Sequence, residues 1–214
     1  MRITKHAHAC VLLEDRGREI LIDPGAFTAN AGELIDQAST VLITHEHVDH
    51  FDEALLTAAL EHREDLQIWG PAAVTARWDD RYPTQVHTVH DGDRFLANGL
   101  SVAVHGDVHA QIHAGIPRVP NVGYLVQGAV YHPGDAYHVP PAEVDTLLLP
   151  TSGPWTKLGQ AVDYVRAVQP KSIIQIHELM LSELGQRSTA NFLGLSILGG
   201  FALTLMPAGE SREL

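Results

Sequence analysis

The sequence predicts an α/β fold in which helices cover β-sheets. Short apolar runs typical of strands fill the first third and the middle of the chain, whereas strand-like and helix-like segments alternate in the last third. This order is typical of sheets with helices packed on their faces. The 214 residues, 45% of them hydrophobic, predict one globular domain over residues 1–214.

The first third begins with a predicted hairpin. Apolar runs at 9–14 and 19–22 flank the turn-forming segment 15–18. The β-branched and leucine-containing run 40–44 predicts a buried strand that stops at His45. Apolar residues at helical spacing then predict a helix from Phe51 to His62.

The remaining segments continue the α/β pattern. Further strands are predicted at 67–69, 85–89, 100–104, 122–126, 129–132, 145–149, 172–176 and 202–205. Further helices are predicted from Pro71 to about Asp79, from Lys157 to Val168 and from Ser188 to Leu198. The stretch from Asn191 to Leu205 carries no charge, but it is too short for a membrane span and contains glycines. We expect it to form a buried helix followed by a strand.

The composition disfavours several classes of protein. The net charge of −12, without a cluster of Lys or Arg, disfavours nucleic-acid binding. The single cysteine excludes a disulfide within the chain, and the N-terminal residues lack the apolar segment of a signal peptide. These features predict a cytoplasmic protein without a membrane segment. The fourteen histidines equal Lys and Arg combined, and several of them have the spacing of metal ligands.

The densest group of ligand-type residues lies in the run from Thr44 to His50, directly after the predicted strand. His45 and His47 would lie on one side of an extended segment, whereas Asp49 and His50 follow the bend towards the next helix. Four such side chains diverge too much for one tetrahedral ion, so the run predicts two neighbouring ions. Imidazole and carboxylate groups suit zinc, iron or manganese. A solvated histidine-rich loop is the alternative, and the preceding buried strand disfavours it.

The run matches the His-x-His-x-Asp-His motif of the metallo-β-lactamase-fold superfamily. Within that superfamily the chain resembles the small metal-dependent hydrolases of the ascorbate-6-phosphate-lactonase-like group, from about Lys5 to Glu210. The resemblance implies a four-layered αββα sandwich with the metal ions at one edge of its two sheets.

The resemblance also implies ligands beyond the first motif. A third histidine for the first ion should follow a strand in the middle of the chain, and we assign it to His109. His105 is the alternative because it follows the apolar run more closely, and His113 is expected to line the pocket. Asp135, which follows Gly134, would bridge both ions. The predicted ligand set is His45, His47, Asp49, His50, His109, Asp135 and His177.

Three other side chains are expected near the site. Asp23 would orient the run from Thr44 to His50, which we call the metal loop. An ordinary role in a turn is the alternative. His8 resembles a histidine near the start of this group and would face the site. Trp155 would cover a ligand, with simple packing as the alternative. Glu178 stands where the group often has Asp, and Glu46 is expected to point away from the metal ions.

This set of residues predicts a hydrolase with two divalent cations, zinc first and manganese or iron as alternatives. A metal-bridging hydroxide would attack an ester-, lactone-, amide- or phosphodiester-type bond of a small molecule, with Asp49 as the proton acceptor. One alternative is an iron-dependent sulfur or oxygen redox enzyme on the same fold. Another is a non-catalytic metal-binding protein. The sequence is compatible with a homo-oligomer.

Overall fold

Two β-sheets that pack face to face form the centre of the molecule. The computed structural model describes residues 1–78 and 81–214, and within them the strands form two seven-stranded sheets. The first sheet consists of β1 (Arg2–Lys5), β2 (Val11–Asp15), β3 (Arg18–Ile22), β4 (Thr40–Leu42), β5 (Gln67–Gly70), β6 (Val86–Thr88) and β14 (Glu210–Glu213). The second consists of β7 (Arg94–Ala97), β8 (Leu100–His105), β9 (Gly123–Val126), β10 (Val130–His132), β11 (Thr146–Pro150), β12 (Ser172–Ile176) and β13 (Leu203–Thr204).

Both sheets are mixed. The first has the order β14-β1-β2-β3-β4-β5-β6, with antiparallel pairing as far as β3 and parallel pairing from β3 to β6. The second has the order β13-β12-β11-β10-β9-β8-β7, with parallel pairing from β13 to β10 and antiparallel pairing beyond. Parallel strands carry functional loops at their carboxyl ends.

Helices cover the outer faces of both sheets. They are α1 (Ala31–Gln37), α2 (Glu53–His62), α3 (Ala72–Thr75), α4 (Leu158–Val168) and α5 (Glu183–Leu193). The apolar faces of α1, α2 and α3 pack on the first sheet, and those of α4 and the end of α5 pack on the second. A third apolar cluster, including Ile3, Val104 and Ile174, fills the space between the sheets. The predicted four-layered αββα sandwich is therefore confirmed.

The predicted hairpin is confirmed, with Asp15 paired to Arg18 across the turn. Four elements were not predicted, namely α1, β1, β7 and β14. The predicted helix from Pro71 is shorter than expected, since α3 ends at Thr75, and its predicted end at Asp79 lies outside the described residues.

The prediction of a buried helix in the stretch from Asn191 to Leu205 is wrong. Helix α5 ends at Leu193, which is its only fully buried residue, and a short 3₁₀ turn follows at Ser196–Leu198. Ile197 is 82% exposed. The helix begins earlier than predicted because the Ser182 side chain accepts a hydrogen bond from the backbone N of Gly185 at 3.2 Å and caps it. No helix in the described part of the chain is long and apolar enough to cross a membrane.

Candidate metal centre

Loops that follow β4, β8, β10 and β12 meet at one edge of the two sheets. The backbone N of Val122, directly before β9 of the second sheet, donates a hydrogen bond to Thr44 O at 3.0 Å. The Tyr124 hydroxyl donates to Ile43 O at 2.8 Å, so the start of the metal loop is held between the sheets. After the loop, Asp52 caps α2 by accepting a hydrogen bond from Leu55 N at 3.1 Å. The loop is therefore fixed at both ends.

One group of possible ligands, called here the first group, comprises His45, His47 and His109. Their ligand atoms lie within 4.8 Å of one another. His109 Nδ1 lies 2.6 Å from Ala110 O, and because a carbonyl only accepts, Nδ1 carries the proton. His109 Nε2 is consequently the atom directed at the group, where an imidazole ligand requires a free lone pair.

The structure brings His109 to the group and places His105 elsewhere. His105 ends β8 and is buried beside Tyr131, with 6.2 Å between the ring centroids. His113 is exposed on the following loop, where its Nδ1 accepts a hydrogen bond from the backbone N of Gly115 at 3.0 Å. His113 is therefore not part of the assembled cluster.

The second group comprises His8, Asp49, His50 and His177, again with ligand atoms within 4.8 Å of one another. Asp49 Oδ2 lies 3.0 Å from His8 Nε2, 3.4 Å from His177 Nε2 and 3.8 Å from His50 Nε2. His8 thus comes closer to this carboxylate than either predicted histidine ligand.

Asp135 lies between the two groups. Its Oδ2 is 3.4 Å from His109 Nε2 of the first group and 3.1 Å from His177 Nε2 of the second. Its Oδ1 is 3.2 Å from His50 Nε2. One carboxylate therefore contacts histidines of both groups, which is the arrangement required of a bridging ligand.

The donor set fits divalent metal ions. Among the described residues, His50 Nε2, His109 Nε2, His177 Nε2 and Asp135 Oδ1 are buried without a hydrogen-bond partner. Buried polar atoms without partners are uncommon because each costs desolvation free energy. Converging imidazole nitrogens and carboxylate oxygens would be satisfied together by divalent cations.

The electrostatics of the cluster also favour cations. Burial lowers the pKa of His50, but Asp135 and Asp23 outweigh this effect and hold that pKa well above its usual value. Burial raises the pKa of Asp135, but His50 and His177 outweigh it and hold it well below its usual range. Burial and the neighbouring His50 lower the pKa of His45 well below its usual value. Protons and metal ions therefore compete for the same nitrogens, and metal binding should release protons.

A family model described as the β-lactamase superfamily domain matches residues 2–177. The chain belongs to the β-lactamase superfamily. This superfamily member is 36% identical over 187 residues to the protein Rv0786c of Mycobacterium tuberculosis, with 85% of this chain and 86% of that protein covered. It is 31% identical over 191 residues to the UPF0173 protein PF0020 of Pyrococcus furiosus, with 86% of each covered.

A solved structure supports the fold assignment of this β-lactamase superfamily member. Igni18, a metallo hydrolase of Ignicoccus hospitalis, superposes with a TM-score of 0.72 at 20% identity, and the match covers 100% of this chain and 98% of Igni18. At that identity the likeness shows the fold alone.

Asp23 contacts the metal loop of this superfamily member directly. Its Oδ1 accepts a hydrogen bond from Thr44 N at 2.8 Å, and its Oδ2 accepts one from the Thr44 hydroxyl at 2.7 Å. Oδ2 also lies 2.7 Å from His50 Nδ1, and because a carboxylate accepts, Nδ1 donates. This contact directs His50 Nε2 towards Asp49 and Asp135.

Trp155 contacts the carboxylate of Asp135. Its Nε1 donates a hydrogen bond to Asp135 Oδ2 at 2.9 Å, and the side chain is buried. Glu46 points away from the cluster and pairs with Arg77 at 2.5 Å on the surface.

Four polar contacts around the site were not predicted from the sequence. The Asn121 side chain accepts a hydrogen bond from Asp135 N at 2.9 Å and donates one to Pro133 O at 3.0 Å. His132 Nε2 donates to Ala9 O at 2.9 Å. Lys5 and Glu178 form a buried ion pair. The sequence offered one indication of these contacts, namely a polar residue within or next to an apolar segment. This indication is weak because the sequence does not show which face of each strand is buried.

Proposed function

We propose that this protein is a dinuclear metal-dependent hydrolase acting on an ester-, lactone-, amide- or phosphodiester-type bond of a small molecule. The observation that carries the proposal is the position of Asp135, whose two oxygens contact histidines of both ligand groups. Zinc is the first choice of metal, with manganese or iron as alternatives. The seven residues that would hold the ions are His45, His47, Asp49, His50, His109, Asp135 and His177.

Two divalent cations at this site would supply Lewis acidity that polarises a substrate oxygen and makes water more acidic. Asp49 is the carboxylate of this chain best placed to take a proton from the attacking water. Its side chain is 14% exposed, whereas that of Asp135 is 4% exposed and has contacts on both oxygens. Burial raises the pKa of Asp49, but the close contacts with His177 and His8 outweigh it and lower the pKa. Asp49 is therefore ionised.

A cavity beside the cluster supports a small-molecule substrate. It has a volume of about 610 Å³ and is lined in part by Ala110, Ala136 and Trp155, which adjoin or contact the predicted ligands. Tyr137 and Tyr164 stack in its wall with ring centroids 4.9 Å apart. Both phenols donate to backbone carbonyls, at 3.1 and 3.0 Å, so ring faces rather than hydroxyls are offered to a ligand. Cavities of this size and character suit small organic molecules.

The test combines metal reconstitution with a substrate panel. Chelator-treated protein would be reloaded separately with zinc, manganese or iron and assayed on lactone, ester, thioester, amide and phosphodiester probes. We expect hydrolysis of at least one probe that depends on the added metal. Oxygen consumption with iron and no hydrolysis would favour the redox alternative. Metal uptake without any turnover would favour a binding protein, and either result would contradict the proposal.

The variant Asp49→Ala tests the proton acceptor. We expect turnover to fall by about 10²–10⁴-fold because a positioned general base contributes that much. Glu46→Ala is the matched control, since Glu46 lies in the same loop and contacts Arg77 at the surface. Metal content is measured for both variants. Near-normal turnover of Asp49→Ala with both ions bound would remove Asp49 from this role.

A further inference from the structure

A buried ion pair joins the two sheets beside the second group. Lys5 Nζ lies 2.7 Å from Glu178 Oε1, and the side chains are 1% and 10% exposed. Lys5 ends β1 of the first sheet, and Glu178 follows β12 of the second. Buried ion pairs add little net stability relative to apolar side chains of similar volume, because desolvation offsets the attraction. Stability alone therefore does not account for the pair.

The ion pair contacts two of the three loops that carry histidines of the second group, namely those of His8 and His177. Glu178 directly follows His177, and Glu178 Oε1 accepts a hydrogen bond from the backbone N of His8 at 3.3 Å. The backbone N of His177 donates to His8 O at 2.9 Å. The two imidazole rings have centroids 3.6 Å apart. A shift of the Glu178 carboxylate would consequently move both histidines.

Both histidines have backbone conformations that need support. The φ angles are +61° at His8 and +56° at His177, in the left-handed region. Such conformations persist where the surrounding structure fixes them. His8 Nε2 also contacts Asp49 Oδ2 at 3.0 Å, so the position of His8 affects that of Asp49.

The first group is held by different contacts. His45 and His47 lie in the loop after β4, which Thr44 and Asp23 fasten. The His109 carbonyl accepts a hydrogen bond from Arg118 Nε at 2.6 Å. Neither Lys5 nor Glu178 takes part in these contacts.

We propose that Lys5 and Glu178 are positioning residues, and we call their ion pair the sheet clamp. The sheet clamp holds His8 and His177, and through His8 also Asp49, in the geometry that lets the second group bind a cation. It has no such effect on the first group. This inference rests on the dinuclear centre of the proposed function and assigns control of one of its two cation positions to a pair outside the ligand set.

The main test is the double variant Lys5→Met/Glu178→Met, which removes both charges and leaves neither unpaired. Metal-free protein would be titrated with Zn²⁺ against a chromophoric chelator, and Co²⁺ absorption would report the coordination geometry. We expect one of the two Zn²⁺ equivalents to bind as in the wild type and the other to bind about 10–100-fold more weakly, as when groups supporting metal ligands are lost. Lys171→Met is the control, because it breaks an exposed 2.6 Å pair with Asp145 far from the ligands in the fold.

A second variant covers the case in which the double variant does not fold. Glu178→Asp keeps the charge but is one methylene shorter, so it cannot reach both Lys5 and the His8 amide. We expect the same selective weakening of one of the two Zn²⁺ equivalents, with an altered Co²⁺ spectrum. Wild-type affinity for both equivalents in either folded variant would overturn the sheet clamp alone. Absence of metal uptake by the wild type would instead overturn the metal centre on which the clamp depends.

Discussion

Individual residues at the site adopt backbone conformations that side chains usually avoid. His8, Asp23 and His177 have φ values of +61°, +52° and +56°. Each left-handed residue other than glycine costs about 1–2 kcal/mol. Hydrogen bonds compensate, since the backbone N of Asp23 donates to Leu42 O at 3.0 Å and that of His177 donates to His8 O at 2.9 Å. Three of the seven non-glycine residues with positive φ in the described part of the chain therefore lie at the site, and the other four are in turns or at the end of α4.

Asp23 offers a test of preorganisation by a residue that is not itself a ligand. Asp23→Asn places an NH2 group opposite either Thr44 N or His50 Nδ1, and in both orientations it removes the charge that strengthens the His50 contact, so His50 is held less firmly. We expect zinc affinity to fall about 10–100-fold, as for other residues that orient metal-binding histidines. Glu46→Gln is the matched control, and we expect unchanged affinity because Glu46 pairs with Arg77 at the surface. Equal zinc affinities of the two variants in a chelator competition would contradict this role of Asp23.

At the residue scale, the sequence indicated which side chains have ligand chemistry but not which atoms support them. His109 and His105 both follow the same strand, and only the path of the loop after β8 brings His109 to His45. Asn121 could not be identified, because its role depends on burial against the loop that carries Asp135. Such contacts arise from tertiary packing and leave no local pattern.

Among the structural elements, the turn after β10 determines where Asp135 lies. Gly134 has φ +63°, and a Cβ there would lie 2.8 Å from Thr44 Cβ and would overlap Asn121 Oδ1. Asn121 Oδ1 accepts the hydrogen bond from Asp135 N. A side chain at Gly134 would therefore push Asp135 away from the metal loop.

Gly134→Ala tests this close approach, with Gly128→Ala as the matched control. Gly128 has nearly the same φ, +62°, but its Cβ would meet nothing within 4 Å. Gly128→Ala should therefore lower the free energy of unfolding only by the about 1–2 kcal/mol that a left-handed conformation costs a residue other than glycine. Gly134→Ala should lower the free energy of unfolding by more, about 3 kcal/mol or above, because it also adds atomic overlap in a packed site. Denaturant unfolding of the metal-free proteins measures both free energies, and equal values would show that close packing at Gly134 is unimportant.

Helices and strands were predicted where the apolar periodicity is strong. They were missed or misplaced where strand pairing or helix capping determines whether the element forms and where it begins. Strand β14 has four exposed residues and lies at an edge, so it exists because it pairs with β1. Helix α5 was placed too late because the uncharged stretch after Asn191 suggested burial. The cap at Ser182 and the acidic Glu183 instead set its start.

On the scale of the whole molecule, the two sheets contribute different parts of one centre. The first sheet supplies the metal loop after β4 together with His8, and the second supplies His109, Asp135 and His177. The αββα layering was predictable because the metal motif resembled a known family. The contacts that join the two sheets, such as the ion pair of Lys5 and Glu178, were not predictable from the sequence.

Cations that bind only the folded chain would stabilise it by mass action. Removal of the metal ions should therefore lower the thermal stability of the protein.

The number and position of the bound ions test the dinuclear centre most directly. Crystals of zinc-loaded protein, measured on both sides of the zinc absorption edge and combined with elemental analysis of the same preparation, would give both. We expect two ions per chain, one among His45, His47 and His109 and the other among Asp49, His50 and His177, with Asp135 between them. A single ion, no ion, or an ion at His105 would contradict the dinuclear centre.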